Sequence, residues 1–398
     1  MAESYDVIIV GAGPSGSTAA RFLAKDGAKV LVIDKRQEIG APKRCAEGID
    51  ISGLRNVGLE PDSKWAVNEI DGAVLYAPNG KSVPIDPKGM GYILERKVFE
   101  KHLAALAIGA GAKYMVKTEF VDIVRENGKI AGIKAQHLGM KFTASAKLII
   151  AADGRESKVA KAAGIDTTNK LKDYHSGFQY EMAGLRKIGE RKLHIFFGND
   201  VAPKGYVWIF PKGDGIANVG IGIVGTMSED GKRASDYLDK FIASKPEIFA
   251  GASPIEINAG GVSVSSGLEK ICADNLLIAG DAAQLVNPIH GGGIALAMHS
   301  GMLAAQTALD ALEKDDFSEK FLCRYEKQWE ETRGKRMRKL MKLRMFSERL
   351  TDYDLDALAE ILHGEDIMDL TDAKFTGFVK LLAKNPKVLA LAGKYLVS

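Results

Sequence analysis

The chain opens with a short apolar run, "YDVIIV", that stops at the glycines of "GAGPSG". "STAARFLAKDG" follows, with Ala19, Ala20, Phe22 and Leu23 on one side of a helical period, and "AKVLVIDKR" then returns to an unbroken apolar run. An apolar run closed by glycine, an amphipathic helix and a second apolar run predict the strand, helix and strand of a parallel sheet. The theme resumes further on: "RKVFEKHLAALAIGAGA" is an amphipathic helix ended by glycine, and "KLIIAADG" and "NLLIAGDAA" are two more buried strands. Between these pieces the texture changes. "GAVLYAPNGKSVPID" predicts a hairpin around Asn79-Gly80, and the stretch from Lys192 to Val224 is strand-rich and punctuated by turns. From about Asp316 the pattern turns helical and stays so. The predicted class is α/β: a discontinuous nucleotide-binding domain from 1–65, 94–165 and 270–315, a β-rich domain from the insertions 66–93 and 166–269, and a helical C-terminal domain over 316–398. No internal repeat or low-complexity segment interrupts this order.

A chain of 398 residues exceeds a single core, which agrees with several domains. Hydrophobic residues at 46% and charged residues at 26% are those of a globular protein. A net charge of +3 is too weak to argue for nucleic acid, and none is expected as a partner. Cys45, Cys272 and Cys323 are scattered and offer neither a disulfide framework nor metal-ligand spacing, so no metal is expected and a reducing cytoplasm fits. "MAESYDVIIV" does not read as a signal peptide, and no run of about 20 apolar residues marks a membrane span.

Gly11, Gly13 and Gly16 form G-x-G-x-x-G directly after a strand and at the start of a helix. The first permits the tight turn, the second lets a pyrophosphate approach the backbone, and the third lets helix and strand pack closely. The helix N-terminus offers free N–H groups to the phosphates. Asp34, at the end of the second strand, suits a carboxylate that grips ribose hydroxyls. Two further stretches bear on which dinucleotide binds. "AADGRES" sets Asp153-Gly154 at a strand end, and "LLIAGDAAQLVNPIHGGGIALAMHSGMLAA" sets Gly280-Asp281 at another, followed by Pro288, three glycines and a small-residue helix. Asp281 suits a polyhydroxy chain, and Gly291 to Gly293 suggest an anion nest ahead of a helix. A nicotinamide dehydrogenase needs neither feature. The ribityl chain and flavin edge of FAD need both.

These three motifs, in this order, resemble the FAD-binding signatures of the p-hydroxybenzoate hydroxylase-like flavoproteins. The resemblance implies a Rossmann-like FAD-binding domain of that type, with an inserted antiparallel substrate sheet and a helical C-terminal region. It implies that Gly11, Gly13, Ser15 and Gly16 hold the pyrophosphate and that Asp34 and Lys35 border the adenosine ribose. Arg96 matches an arginine near the phosphates, and Val121 matches a backbone contact to adenine. Asp281 is implied at the ribityl or phosphate groups, Gly293 and Ile294 present N–H groups to the flavin, and Asp153 braces the fold.

"PKRCAEGI" and "YVWIFPKGDGIANVGIG" resemble the archaeal geranylgeranyl reductases, which saturate the isoprenoid chains of membrane lipids, and the similarity runs along nearly the whole chain. It implies that Cys45, with Ala46 and Gly48, lies near the isoalloxazine, and that Tyr206, Trp208, Phe210 and Pro211 meet the substrate. An isoprenoid is long, apolar and flexible, and its site should be a greasy groove. Tyr206, Trp208 and Phe210 alternate along a strand and share one side, as an aromatic wall or as core packing. The expected reaction is hydride transfer from the flavin to one alkene carbon of a geranylgeranyl glycerolipid and proton delivery to the next. Cys45 is a candidate proton donor or shaper of the flavin face, and Arg44 beside it favours thiolate, which works against donation. His290 is a candidate stabiliser of reduced flavin or a structural histidine. Electrons are expected from NAD(P)H or reduced ferredoxin, since no second G-x-G-x-x-G appears on a strand-to-helix turn.

"RGKRMRKLMKLRMFSERL" interleaves basic residues with Met337, Leu340, Met341, Leu343 and Phe346. It reads as a helix packed on the body with a solvated basic side, the alternative being a helix on an anionic membrane surface. The expected location is cytoplasmic, with peripheral contact at the inner membrane face. Two other functions compete with the reductase: an FAD monooxygenase of an aromatic or polyketide-like substrate, and a non-enzymatic flavin or lipid carrier.

Overall fold

The computed structural model describes residues 3–86, 91–382 and 386–393. Strand β1 (Ser4–Val10), helix α1 (Pro14–Lys25) and strand β2 (Val30–Ile33) form the expected unit, with β1 and β2 parallel. Helix α2 (Arg96–Gly109) follows, and strand β3 (Met140–Ala151) lies parallel to β1 on its other side. The sheet runs Cys272–Ala273, Leu276–Ile278, β3, β1, β2, Lys113–Met115. Its central strands read as unbroken apolar runs because both faces are covered: Ile8, Ile9, Val32, Ile33, Ile149 and Ile150 are all closed from solvent. The first part of β3 pairs antiparallel with Lys129–His137, which in turn pairs with Thr118–Glu126. This polar hairpin gave no buried-strand signal in the sequence.

Small residues set how closely the helices approach. The long helix α3 (Ile294–Lys314) packs on α1, and a Cβ on Gly301 would stand 2.2 Å from the carbonyl oxygen of Ser15.

The second sheet is built around three antiparallel strands, β4 (Tyr174–Ala183), β5 (Tyr206–Gly213) and β6 (Ile216–Val224). Its order is Ser253–Ser263, β4, β6, β5, Lys192–Phe196, Gly72–Tyr76, Ser82–Ile85. The last two strands are the hairpin around Asn79-Gly80. Segment 66–93, expected as one insertion, divides between two sheets. Ala66–Ile70 and Gly91–Leu94 join Gly48–Asp50 in a small third sheet. Along β5, Val207 and Ile209 face a core that includes Phe241, and Tyr206, Trp208 and Phe210 face the other way.

Beyond residue 316 the chain is helical. In α4 (Lys335–Ser347) the apolar residues Met337, Leu340, Leu343 and Phe346 are buried against Leu358, Leu370 and Phe378. That face is therefore not free for a membrane surface, and this basic helix packs on the body. Arg344 points inward and donates to the carbonyl of Val264 (2.6 Å), to the carbonyl of Lys172 and to Asp173 (3.4 Å), which ties the helix to the large antiparallel sheet. Among the described residues no helix is long and apolar enough to cross a membrane. The apolar C-terminal stretch lies partly outside the described residues, and Val388 and Ala392 within it are buried in the helical core.

Two histidines are buried without charge. Burial, with Arg344 nearby, pushes His175 down to about 3, and burial, with Arg333 nearby, pushes His299 down to about 4. An unfolded histidine takes its proton near pH 6.5, so the unfolded state gains protons first as the pH falls. Stability should therefore drop between about pH 6.5 and 4, by up to about 1.4 kcal/mol per pH unit for each histidine. Denaturant midpoints across that range check this, and a flat profile would contradict it. Independently, Gly301→Ala should cost about 1–3 kcal/mol in unfolding free energy, because its Cβ meets backbone that cannot turn away.

Candidate active site

The turn between β1 and α1 has the form of a phosphate cradle. Gly11 adopts φ +106, and its Cβ would stand 2.2 Å from the carbonyl oxygen of Ala152. A Cβ on Gly16 would stand 1.9 Å from the Gly11 carbonyl oxygen. In front of Gly13 there is open space, with nothing within 4 Å of a Cβ built there. Gly13 caps α1, and its side of the turn is where a pyrophosphate would approach the helix N–H groups. Ser15 is buried in this first turn, and its hydroxyl has no hydrogen-bond partner. An open glycine face and an orphaned buried hydroxyl at one helix N-terminus fit the phosphates of FAD.

The ribose end is arranged differently from the expectation. Both oxygens of the buried Asp34 are already bonded, to the Ala12 amide (2.8 Å) and to the backbone and guanidinium of Arg36 (2.8–3.0 Å). Burial alone would raise its pKa, but Arg36 and the Ala12 amide outweigh that and hold it below the usual carboxylate value. Arg36 bridges on to Glu100 (3.3 Å), so a ribose reaching Asp34 has to displace Arg36. Lys35 turns aside to pair with Glu156 (2.6 Å). Val121 lies exposed on Thr118–Glu126, three residues beyond Thr118, whose amide donates to the Asp34 carbonyl. Asp153 caps toward the Val159 amide (3.1 Å) and is raised by burial, a bracing position.

The other motifs come together near one another. Asp281 keeps accessible surface yet is desolvated, so it lines a concave space. Burial raises its pKa and Arg96 draws it back down. A Cβ on Gly293 would stand 3.4 Å from Asp281 Oδ1, and Ile294 is buried directly behind. Arg96 bonds to Glu100 (2.7 Å), and its charge is further favoured by Cys45 and by Asp281. Tyr206 is raised by burial and by the nearness of Cys45. Cys45, Arg96, Asp281 and Tyr206, from four distant parts of the sequence, are therefore near enough to act on one another's charge.

Of the glycine nest, two amides are engaged: Gly291 donates to the Asn287 carbonyl (2.9 Å) and Gly292 to His290 Nδ1 (3.1 Å). The N–H groups that start α3, at Gly293 and Ile294, are the ones left for a ligand. His290 holds its Nδ1 as acceptor, so its proton is on Nε2. Burial and Arg336 push it down to about 4, and at neutral pH it carries no charge with which to balance an anion.

Tyr206, Trp208 and Phe210 form a continuous row, with ring centroids 5.8 and 6.5 Å apart. The Tyr206 hydroxyl donates to the His290 carbonyl (2.6 Å), clasping β5 to the glycine-rich loop. The Trp208 indole donates to Gln179 (3.0 Å) and lies over Gly220, where a Cβ would stand 2.3 Å from its ring. Phe210 reaches Gly48. Pro211 is not part of this wall: strand alternation turns it to the opposite face, and its carbonyl accepts from Asn68 (2.8 Å).

A buried ion cluster beneath the loop that carries Cys45 escaped the sequence reading. Lys43 and Glu47 pair at 3.2 Å with side chains fully closed from solvent. Lys212 bonds Glu47 (3.1 Å), Glu95 (2.8 Å) and Glu181 (3.2 Å), and Lys43 also pairs with Glu181. Asn218 donates to Glu47 (2.8 Å) and to the Ala46 carbonyl (3.1 Å), and Gln179 donates to the Cys45 carbonyl (3.0 Å). The Cys45 sulfur accepts the Glu47 amide at 3.1 Å. Arg44 points away, its stem beside Gly260. The only signal available in the sequence was Lys43 and Glu47 four apart around the cysteine. A second surprise is that Cys272 and Cys323 meet, with Glu326, so that their ligand-type atoms lie within 4.8 Å of one another.

Residues 173–262 match the family described as geranylgeranyl reductase catalytic domain, and residues 6–175 match FAD dependent oxidoreductase. The chain is 43% identical to a digeranylgeranylglycerophospholipid reductase of Methanothrix thermoacetophila, covering 96% of this chain and 97% of the relative. It is 41% identical to one from Methanocaldococcus jannaschii, covering 97% of each. The solved structure of a geranylgeranyl bacteriochlorophyll reductase-like protein from Thermoplasma acidophilum superposes with TM-score 0.91 at 37% identity, over 97% of this chain and 99% of that one. A flavin-dependent brominase variant shares the fold at TM-score 0.76 and 15% identity, over 98% of each chain. Cys45, the aromatic strand and the dinucleotide cradle thus belong to a chain that is a member of the digeranylgeranylglycerophospholipid reductase family.

Proposed function

We propose that this protein is an FAD-dependent reductase that saturates the double bonds of geranylgeranyl chains in glycerophospholipids. The observation that supports the site assignment is the approach of Cys45, Arg96, Asp281 and Tyr206 to one another, with Gly293 beside Asp281 and Tyr206 bonded to the glycine-rich loop. FAD, when bound and reduced, supplies the hydride. Gly11, Gly13, Ser15 and Gly16 hold its pyrophosphate, Arg96 and Asp281 lie along its middle, and the amides of Gly293 and Ile294 face its ring edge. The wall of Tyr206, Trp208 and Phe210 holds the isoprenoid chain against the reacting centre and keeps water out. Electrons come from NAD(P)H or reduced ferredoxin. The substrate is drawn from a membrane by peripheral contact.

An isolated alkene has no carbonyl to spread charge, so a proton has to reach the second carbon from a placed donor. The Tyr206 hydroxyl is committed to the His290 carbonyl. Cys45 is better suited: its sulfur accepts from the Glu47 amide, which leaves the S–H free to point elsewhere. The cation nearest by sequence, Arg44, lays its stem beside Gly260.

The test is anaerobic. With flavin reduced by dithionite, a geranylgeranylated glycerol lipid should gain mass in steps of two hydrogens as the flavin reoxidises. Cys45→Ala should lower turnover by about 10²–10⁴ and Cys45→Ser by less. No mass gain without oxygen, but oxygen-dependent NAD(P)H use with an aromatic compound, would instead identify a monooxygenase.

The ion cluster holds Cys45 in place through backbone bonds, and its removal should show as both instability and disorder. Lys43→Met leaves Glu47 and Glu181 facing each other with one cation fewer and should cost about 3–5 kcal/mol. The rate of Cys45 labelling by a thiol reagent should rise in the same variant. Unchanged labelling would show that the loop keeps its form without the cluster.

A further inference from the structure

Between the helix Arg324–Trp329 and α4 the chain makes a π-helical turn, Glu330–Gly334. Such turns are rare and frequently sit at functional sites. This one carries Arg333 on its last turn and sets it beside Arg336, on the same side of the helix. The two guanidinium groups are poorly compensated. Arg336 donates through one nitrogen to the Thr371 carbonyl (2.8 Å) and to Asp372 (2.8 Å), and its Nε is closed from solvent with no partner. Arg333 has neither an ion pair nor a hydrogen bond among the described residues, and its Nε is likewise closed and unpartnered.

The anions nearby already serve other groups in part. Asp372 serves Arg336 and lies 3.6 Å from Lys374. Asp50, the carboxylate that acts on Arg333, accepts from the Gly53 amide (2.7 Å) and the Ser52 hydroxyl (2.5 Å). Burial and the like charge of Arg336 therefore make the Arg333 cation less favourable than in water, and a bound anion would reverse that. Both residues remain half-buried, so an anion can reach them.

The pair lies near His290 and His299. Arg336 acts on His290, Arg333 acts on His299, and Asp50 acts on both His290 and Arg333. His290 in turn is clasped to Tyr206 at the end of the aromatic row. An aromatic row clasped to His290, with two undercompensated guanidinium groups beyond that histidine, suits a molecule with a long apolar chain and a tetrahedral oxyanion head. Planar guanidinium forks match phosphate oxygens in pairs. We infer that Arg333 and Arg336 bind the phosphate of the lipid substrate's head group. This rests on the reading of the chain as a lipid reductase.

Two lipids test it, a geranylgeranylated glycerophosphate lipid and the same lipid without phosphate, each dispersed in detergent. Arg333→Gln should raise KM for the phosphate lipid about 10- to 100-fold and leave kcat unchanged, the mark of lost ground-state binding. It should leave both constants for the phosphate-free lipid unchanged. Arg333→Lys keeps the charge without the fork and should fall between. Inorganic phosphate should compete with the phosphate lipid and not with the phosphate-free one. Competition with both would assign the arginines to free phosphate and overturn the head-group reading. Equal changes on both lipids, or none on either, would also overturn it. A thermal shift reads the site without turnover: the phosphate lipid should raise Tm of the wild-type protein more than of Arg333→Gln. A phosphate-dependent shift in a protein that reduces neither lipid would keep the anion site and defeat the reductase reading instead.

Discussion

The candidate site depends on a set of charges largely withdrawn from solvent. Lys43, Glu47, Lys212 and Glu181 sit where three chain segments cross: the loop that carries Cys45, strand β5 and strand β4. Taking such charges out of water is costly, and their mutual attraction returns the cost only with good geometry. Glu47 shows that geometry, with two ammonium groups and the Asn218 amide on one carboxylate oxygen. Swapping the set for apolar side chains would not reproduce its directional bonds. A hydrophobic cluster would hold the segments together but leave the Asn218 amide without Glu47, the partner that orients it toward the Ala46 carbonyl. Those bonds fix where the thiol stands relative to the aromatic row.

This arrangement also couples the two large sheets. Gln179 bonds the Cys45 loop on one side and the Trp208 indole on the other, and Tyr206 reaches across to the loop ahead of α3. The two large sheets are thus joined by side chains close to Cys45 and the aromatic row. A shift of the aromatic strand is felt at the cysteine, and the reverse.

Much of the fold was legible because its signals are local. The glycines at 11, 13 and 16, the apolar runs of β1, β2 and β3, and the Asn79-Gly80 hairpin each declare themselves within a dozen residues. The alternation of Tyr206, Trp208 and Phe210 was also visible, since strand period alone puts them on one face. What escaped depends on partners far away in the chain. The Arg36 guanidinium folded onto Asp34 has no signal in the sequence, and Pro211 joins a motif in sequence that its own strand turns away from. Cys272 and Cys323 look unrelated until the sheet edge and the helix bring them together. The ion cluster was the least visible, because nothing in a sequence distinguishes a buried lysine from a solvated one.

The seat beneath Trp208 has a consequence for how this scaffold changes its preferences. The indole lies on bare backbone at Gly220, with Gly222 also close by. A sheet normally presents a layer of side chains, and here one layer is missing, so the ring sinks and the space above it deepens. A single methyl group at position 220 would lift the ring into that space. If this row is the wall proposed for the isoprenoid chain, the bulk admitted there would be set from below, by residues that never touch the chain, and one codon would be enough to retune it.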